Sequence, residues 1–137
     1  MIAVDTNVLA RFYCDDPADP EARRQRPAAR RLLLESTALF VPRTVVLELE
    51  WVMRGFYEVE PAVVCDAFEH LLGMPHVTVE RWEAVKDALD LHRRGVDFAD
   101  ALHCSSSRGC EAFASFDKRL LRGAGKAGAP VPIRLPV

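Results

Sequence analysis

Apolar residues along this chain fall into short blocks and helical stripes that alternate. Met1-Ile2-Ala3-Val4 is an apolar run that stops on Asp5-Thr6-Asn7, which predicts a buried strand over residues 2–5 with a carboxylate at its end. Val8, Leu9 and Phe12 then carry a helical spacing over residues 7–13. Asp15 to Pro20, with two prolines and three acids, reads as a loop that opens a helix running to about Glu35. Within it Pro27 predicts either a kink or the true first turn. Leu39-Phe40-Val41 is a second strand. Val45, Val46, Leu49, Val52, Met53 and Phe56 recur at i, i+3/i+4, so residues 44–57 are expected to be helical. Pro61 opens a helix to about Leu72, which Gly73 and Pro75 end.

Val77-Thr78-Val79 is a third strand, followed by an amphipathic helix over residues 80–94 that Gly95 stops. Asp97 opens a helix ending near Gly109, and Phe113-Ala114-Ser115 is a fourth strand. A short helix is expected over residues 118–122, then a flexible glycine-rich loop over residues 123–128. Residues 131–135 form a fifth strand, at an edge because Pro132 has no N–H for a ladder. Strands alternating with helices argue for an α/β fold, a mainly parallel sheet covered on both faces. Neither an internal repeat nor a linker interrupts the pattern, so residues 1–137 read as a single domain.

Composition narrows the classes. At 137 residues with half of them apolar, the chain can build its own core. The formal net charge of −2 predicts neither nucleic-acid nor membrane binding by itself. Cys14, Cys65, Cys104 and Cys110 form no C-x-x-C pair and match no zinc framework; Cys65 and Cys104 read as buried small hydrophobes. The N-terminal residues lack a basic leader pattern, and no run approaches the ~18 apolar residues of a membrane span. A cytoplasmic protein with no membrane partner is the expectation.

The acids carry the chemistry. Asp5 stands where a strand ends, and in open parallel α/β sheets ligands bind at the carboxyl ends of strands. Ser115-Phe116-Asp117 repeats that logic, although Asp117 also suits the cap of the helix that follows. Glu48 is flanked by Val45 and Val52 on a side expected to turn inward, which favours it over Glu50. Asp97 and Asp100 are i,i+3 neighbours on one helix face. Capping accounts for Asp97 as readily as a site does, but accounts poorly for Asp100 in the first turn of an apolar helix. If these acids converge they cannot remain unneutralised, since two carboxylates ~4 Å apart repel by about 4 kcal/mol at an effective dielectric of 20. A purely oxygen ligand set without His or Cys favours a hard cation, Mg²⁺ or Mn²⁺. Metal-assisted hydrolysis of a phosphodiester follows as the reaction class.

Four segments together resemble a PIN domain of the bacterial VapC toxin type. They are Ile2-Ala3-Val4-Asp5-Thr6-Asn7-Val8-Leu9, Val46-Leu47-Glu48-Leu49-Glu50-Trp51-Val52, Asp97-Phe98-Ala99-Asp100-Ala101-Leu102-His103 and Ser115-Phe116-Asp117-Lys118-Arg119-Leu120. Each alone is a weak signal, but all four occur in the family's order and spacing. The resemblance implies a three-layer α/β/α fold around a mainly parallel sheet of about five strands. It also implies an endoribonuclease whose acidic quartet, Asp5, Glu48, Asp100 and Asp117, is catalytic and holds Mg²⁺ or Mn²⁺, with Asp97 as an additional acid. Thr6, Asn7 and Ser115 take supporting roles; the family often has Thr where Ser115 stands, and the hydroxyl is kept. The implied partners are an RNA substrate, a small VapB-type antitoxin that covers the acidic groove, and a second copy in a homodimer.

Basic residues flank this pattern. Lys118, Arg119 and Arg122 follow Asp117 directly and are the better candidates for RNA phosphates. Arg23, Arg24, Arg26, Arg30 and Arg31 fit RNA contact and a solvated helix face equally well. His103 reads as a packed helix residue, Trp51 and Trp82 as core or interface. The apolar Leu9, Phe12, Leu47 and Trp51 suit either core or partner contact. The glycine-rich segment is no phosphate loop, because Ala127 follows Lys126. Two other functions compete: a catalytically silent PIN-fold interaction module, and a haloacid dehalogenase-like phosphatase. The second wants another acid two residues beyond Asp5, where Asn7 stands.

Overall fold

The computed structural model describes all residues, Met1–Val137. Strands β1 (Ile2–Ala3), β2 (Leu39–Val41), β3 (Val77–Val79), β4 (Phe113–Ala114) and β5 (Ile133–Arg134) alternate with seven α-helices. The helices are α1 (Thr6–Tyr13), α2 (Pro20–Glu35), α3 (Arg43–Trp51), α4 (Pro61–Leu72), α5 (Trp82–Arg93), α6 (Phe98–Ser106) and α7 (Lys118–Lys126). All strand pairing is parallel, so the α/β class holds. The strands hydrogen-bond as a set of three, β1-β2-β3, and a set of two, β4-β5. Contacts along the chain gather into two compact units, Met1–Glu80 and Arg81–Val137.

In the first unit β2 is central, and Leu39 and Val41 are fully buried. Leu9 of α1, Leu33 of α2, Val46 and Leu49 of α3, and Phe68 and Leu71 of α4 close the core around it. Burial of each such side chain contributes roughly 1.5–3 kcal/mol. The expectation that β1 is buried is corrected. It is the edge strand, Ile2 is 54% exposed, and only Val4 enters the core, bonding through its N–H to the Phe40 carbonyl at 3.0 Å. Two polar ties hold elements in register. Glu80 Oε1 accepts the Arg43 N–H at 2.8 Å, answering the open N-terminus of α3. His76 Nε2 meets the Leu33 carbonyl at 2.6 Å. Helix α2 continues through Pro27, which therefore is an interior proline and not the first turn.

Helix α3 passes into a π-helical turn, Val52–Phe56, closed by the Tyr57 N–H on the Val52 carbonyl. This widened turn carries the buried stripe through Val46, Leu49, Glu50 and Met53. Glu50, only 3% exposed, pairs with Arg54 at 2.8 Å. Glu48 is exposed, so its expected inward orientation is overturned: Val45 and Val52 flank the stripe instead of lying in it. Leu9 and Phe12 are core residues, whereas Trp51 and Trp82 are 61% and 50% exposed and are not core.

The second unit is built on α5 packed against α6, with Val85, Ala88, Leu89, Phe98, Ala101 and Cys104 buried. The expected loop over residues 123–128 is corrected as well. Helix α7 continues to Lys126 despite Gly123 and Gly125, because Leu120, Ala124 and Ala127 bury one stripe. That stripe offsets the ~1 kcal/mol that each interior glycine costs relative to alanine. Arg94 donates to the Ala127 carbonyl at 2.8 Å, and Gly128, at φ 83°, turns the chain out of the helix. Cys14, Cys65 and Cys104 are buried and free, and Cys110 is exposed and free.

Candidate active site

Each candidate acid stands at a defined point of an element. Asp5 follows β1 and caps α1, its Oδ1 accepting the Thr6 N–H at 2.8 Å while its side chain remains exposed. The next residue, Thr6, is buried, and its Oγ1 has no hydrogen-bond partner. An unpaired buried hydroxyl is costly, so a polar partner is expected for it. Asn7 is exposed in the first turn of α1. Glu48 presents its carboxylate to solvent from α3.

The second unit brings three acids together. Asp97 caps α6, accepting the Asp100 N–H on Oδ2 at 3.3 Å. Asp117 caps α7, where its Oδ1 accepts the Arg119 N–H at 2.9 Å and the Leu120 N–H at 3.1 Å. Ser115 Oγ in turn accepts the Asp117 N–H at 3.0 Å and so fixes the turn that carries the acid. Between them Asp100 is half-buried. Its pKa is raised first by burial, then by the negative charges of Asp97 and Asp117, while His103 acts in the opposite sense. Both caps therefore also act as members of an electrostatic cluster. His103 stacks on Phe113, with centroids 6.4 Å apart and planes 12° from parallel. The side chain is nonetheless exposed and not packed into the core as the sequence suggested; its charge acting on Asp100 was signalled only by their i,i+3 spacing.

Lys118, Arg119 and Arg122 are all exposed. Lys118 and Arg119 lie in the first turn of α7, where the helix dipole disfavours cations by roughly 0.3–1 kcal/mol each. Two cations at that end beside an acid suit an anionic ligand better than they suit the helix.

The raised Asp100 gives a sign-specific expectation. Its folded pKa lies above the unfolded value, so the folded state holds the proton more tightly. Its contribution is neutral well below pH 3.8, turns unfavourable as pH rises through the folded pKa, and stays so above it. Asp100→Asn is thus expected to stabilise the metal-free protein at pH 7, by less than about 1 kcal/mol because solvent screens the cluster. The gain should vanish near pH 3, as read from urea midpoints at the two pH values. An equal gain at both would show that repulsion is not its cause.

The carboxylates suit a hard divalent cation in donor chemistry, and the strain at Asp100 is the kind a cation relieves. Nowhere, however, do three or more His, Cys, Asp or Glu side chains already stand in metal-holding geometry. Asp5 and Glu48 belong to the Met1–Glu80 unit, and Asp97, Asp100 and Asp117 to the Arg81–Val137 unit.

No helix is long and apolar enough to cross a membrane. No curated protein is found to match the chain. The family model of the PIN domain matches residues 2–126. With nearly the whole chain aligned, from the strand before Asp5 to the end of α7, the chain belongs to the PIN-domain family, whose members are in general nucleases.

Proposed function

We propose that this chain is a Mg²⁺- or Mn²⁺-dependent endoribonuclease of the VapC toxin type, formed by residues 1–137 as a single PIN domain. The observation that carries the reading is the gathering of Asp97 and Asp117 around a half-buried Asp100 in a chain of this family. In this reading Asp5, Glu48, Asp100 and Asp117 are the catalytic and metal-holding acids, with Asp97 beside them. The three-layer α/β/α arrangement around about five strands is part of the same reading.

When bound, the ion supplies positive charge against the charge developing on the phosphoryl oxygens and polarises water for hydrolysis. The chain's own residues do the rest. Asp5 and Asp117 are held at strand ends by backbone N–H groups, so their free oxygens point from fixed positions. Ser115 fixes the Asp117 turn, and the unpaired Thr6 hydroxyl and the exposed Asn7 amide offer polar contacts beside Asp5. Lys118, Arg119 and Arg122 contact RNA phosphates.

Such a toxin needs restraint, and the reading includes a small VapB-type antitoxin, a homodimer and a cytoplasmic site of action. Trp51, Phe56 and Val63, 61%, 69% and 53% exposed in the first unit, support protein contacts of this kind. A second reading, a catalytically silent PIN-fold module, is favoured by the lack of a preassembled ligand set. Incubating the protein with RNA in Mg²⁺, in Mn²⁺ and in EDTA separates the two. Cleavage lost in EDTA and restored by added metal is expected. No cleavage in either metal, together with no calorimetric binding of either, would select the silent module.

A further inference from the structure

Five of the 18 Lys and Arg residues fall within residues 23–31, and no Asp or Glu lies between Glu21 and Glu35. Helix α2 sets Arg23, Arg26, Arg30 and Arg31, with Pro27, Leu34 and Glu35, along an open groove of about 630 Å³ that Asp15 and Pro17 also line. Their guanidinium groups are committed unequally. Arg26 pairs with Asp15 at 2.6 Å, and Arg30 lies over the Phe12 ring at 5.8 Å. Arg23 and Arg31 are exposed and have no carboxylate partner. Arg24, outside the groove, has Glu21 at 3.9 Å. Four arginines thus face two carboxylates, Asp15 and Glu35, along the groove, and the excess of cations costs free energy through mutual repulsion, which an anionic ligand relieves.

We propose that this groove is a second binding surface for single-stranded RNA, in which Arg23 and Arg31 take backbone phosphates and the floor receives sugar and base faces. The proposal deepens the endoribonuclease reading and rests on it. Arg23 and Arg31 stand eight residues, roughly 12 Å, apart along α2, a span that suits non-adjacent phosphates of an extended strand. Leu34, exposed at 55%, and Pro27 add apolar surface, and guanidinium planes stack on bases. A net charge of −2 and a cluster of catalytic acids repel a polyanion, so affinity has to come from a local concentration of cations. Helix α2 holds the densest one in the chain.

The test is binding of an unstructured 25-nucleotide RNA by the full chain in EDTA, across a salt series. The Arg23→Gln/Arg31→Gln double variant is compared with wild type and with Arg24→Gln, which removes one charge outside the groove. Wild type should show a steep fall of affinity with salt. The double variant should lose roughly tenfold in affinity and about 0.7 per arginine in the log–log salt slope, twice the loss of any single phosphate contact. Thermal unfolding of the three proteins shows that the difference is not one of folding. Affinity and slope that stay at wild-type values in the double variant, or fall equally in Arg24→Gln, would overturn the proposal. So would a double variant that keeps its RNA affinity but loses binding of poly-L-glutamate, which assigns the groove to an acidic protein segment. The two readings fail separately: a wild type that binds RNA through these arginines but never cleaves it sinks the nuclease reading alone. One that cleaves, with binding indifferent to Arg23 and Arg31, sinks the groove alone.

Discussion

Replacing Asp117 with Asn is expected to reduce RNA cleavage by at least about 100-fold while leaving the fold intact, because the two tasks of this side chain can be separated. One oxygen is spent on structure: Oδ1 accepts the Arg119 and Leu120 N–H groups at the start of α7. Asn caps a helix about as well as Asp, so Asp117→Asn keeps those bonds. It removes the negative charge that raises Asp100 and that a cation would need. Asp117→Ala loses both tasks, and its melting point should drop by an amount corresponding to a further ~1 kcal/mol. Initial rates on one RNA at saturating Mg²⁺, with melting curves alongside, check the pair. An Asn variant cleaving at more than a third of the wild-type rate would remove Asp117 from the catalytic set.

The elements most legible in the sequence are those whose ends carry backbone-specific residues. Helix α4 begins at Pro61 and ends before Gly73, as Pro at the first turn and Gly past the last one dictate. Strands β2 and β3 are short apolar runs bounded by Pro42 and by the Gly73–Pro75 turn, and both lie where the pattern puts them. Strand-end acids were legible for the same reason: Asp5 and Asp117 both cap the helix that follows their strand.

What escaped the pattern depends on tertiary packing. Glu48 and Glu50 sit two residues apart in one apolar helix, and flanking valines do not reveal where the core lies. The stripe through Val46, Leu49 and Met53 buries Glu50 beside Arg54, and the π turn after Trp51 is invisible to a 3.6-residue period. Exposure does not remove Glu48 from the candidate ligands, since a carboxylate that meets a hydrated ion has to be reachable. Residues 123–128 failed in the opposite direction. Local propensity favoured a loop, and burial of Ala124 and Ala127 prevailed over two interior glycines. Of the acids, the association of Asp100 with Asp97 was readable as i,i+3 spacing. Asp117, on another helix, is grouped with them by its strand-end placement and the family resemblance, not by spacing, and its charge acts on Asp100 in the fold.

Phe98→Ala is expected to destabilise the protein by about 3–5 kcal/mol, because it combines lost burial with a cavity that the site's own scaffold surrounds. Phe98 is fully buried at the first residue of α6, between Asp97 and Asp100, and meets the His92 ring edge-on at 5.8 Å. His92 is itself held to the Val96 carbonyl at 2.7 Å, so the turn that delivers Asp97 is packed from both sides. Against a typical total of ~5–15 kcal/mol, this loss shifts the melting point by roughly 10–25 °C. Phe98→Leu fills part of the space and should lose roughly half as much. If the acids flanking Phe98 hold a divalent ion only when folded, Mg²⁺ at a hundredfold excess over its Kd returns about 2.7 kcal/mol to Phe98→Ala. The same addition should return little to Phe98→Ala/Asp117→Asn, where repulsion is already relieved and a ligand is gone. Melting curves of both variants with and without Mg²⁺ decide it. Equal rescue of the two would mean that the ion acts elsewhere, and that Phe98 supports the core without supporting the metal-holding acids.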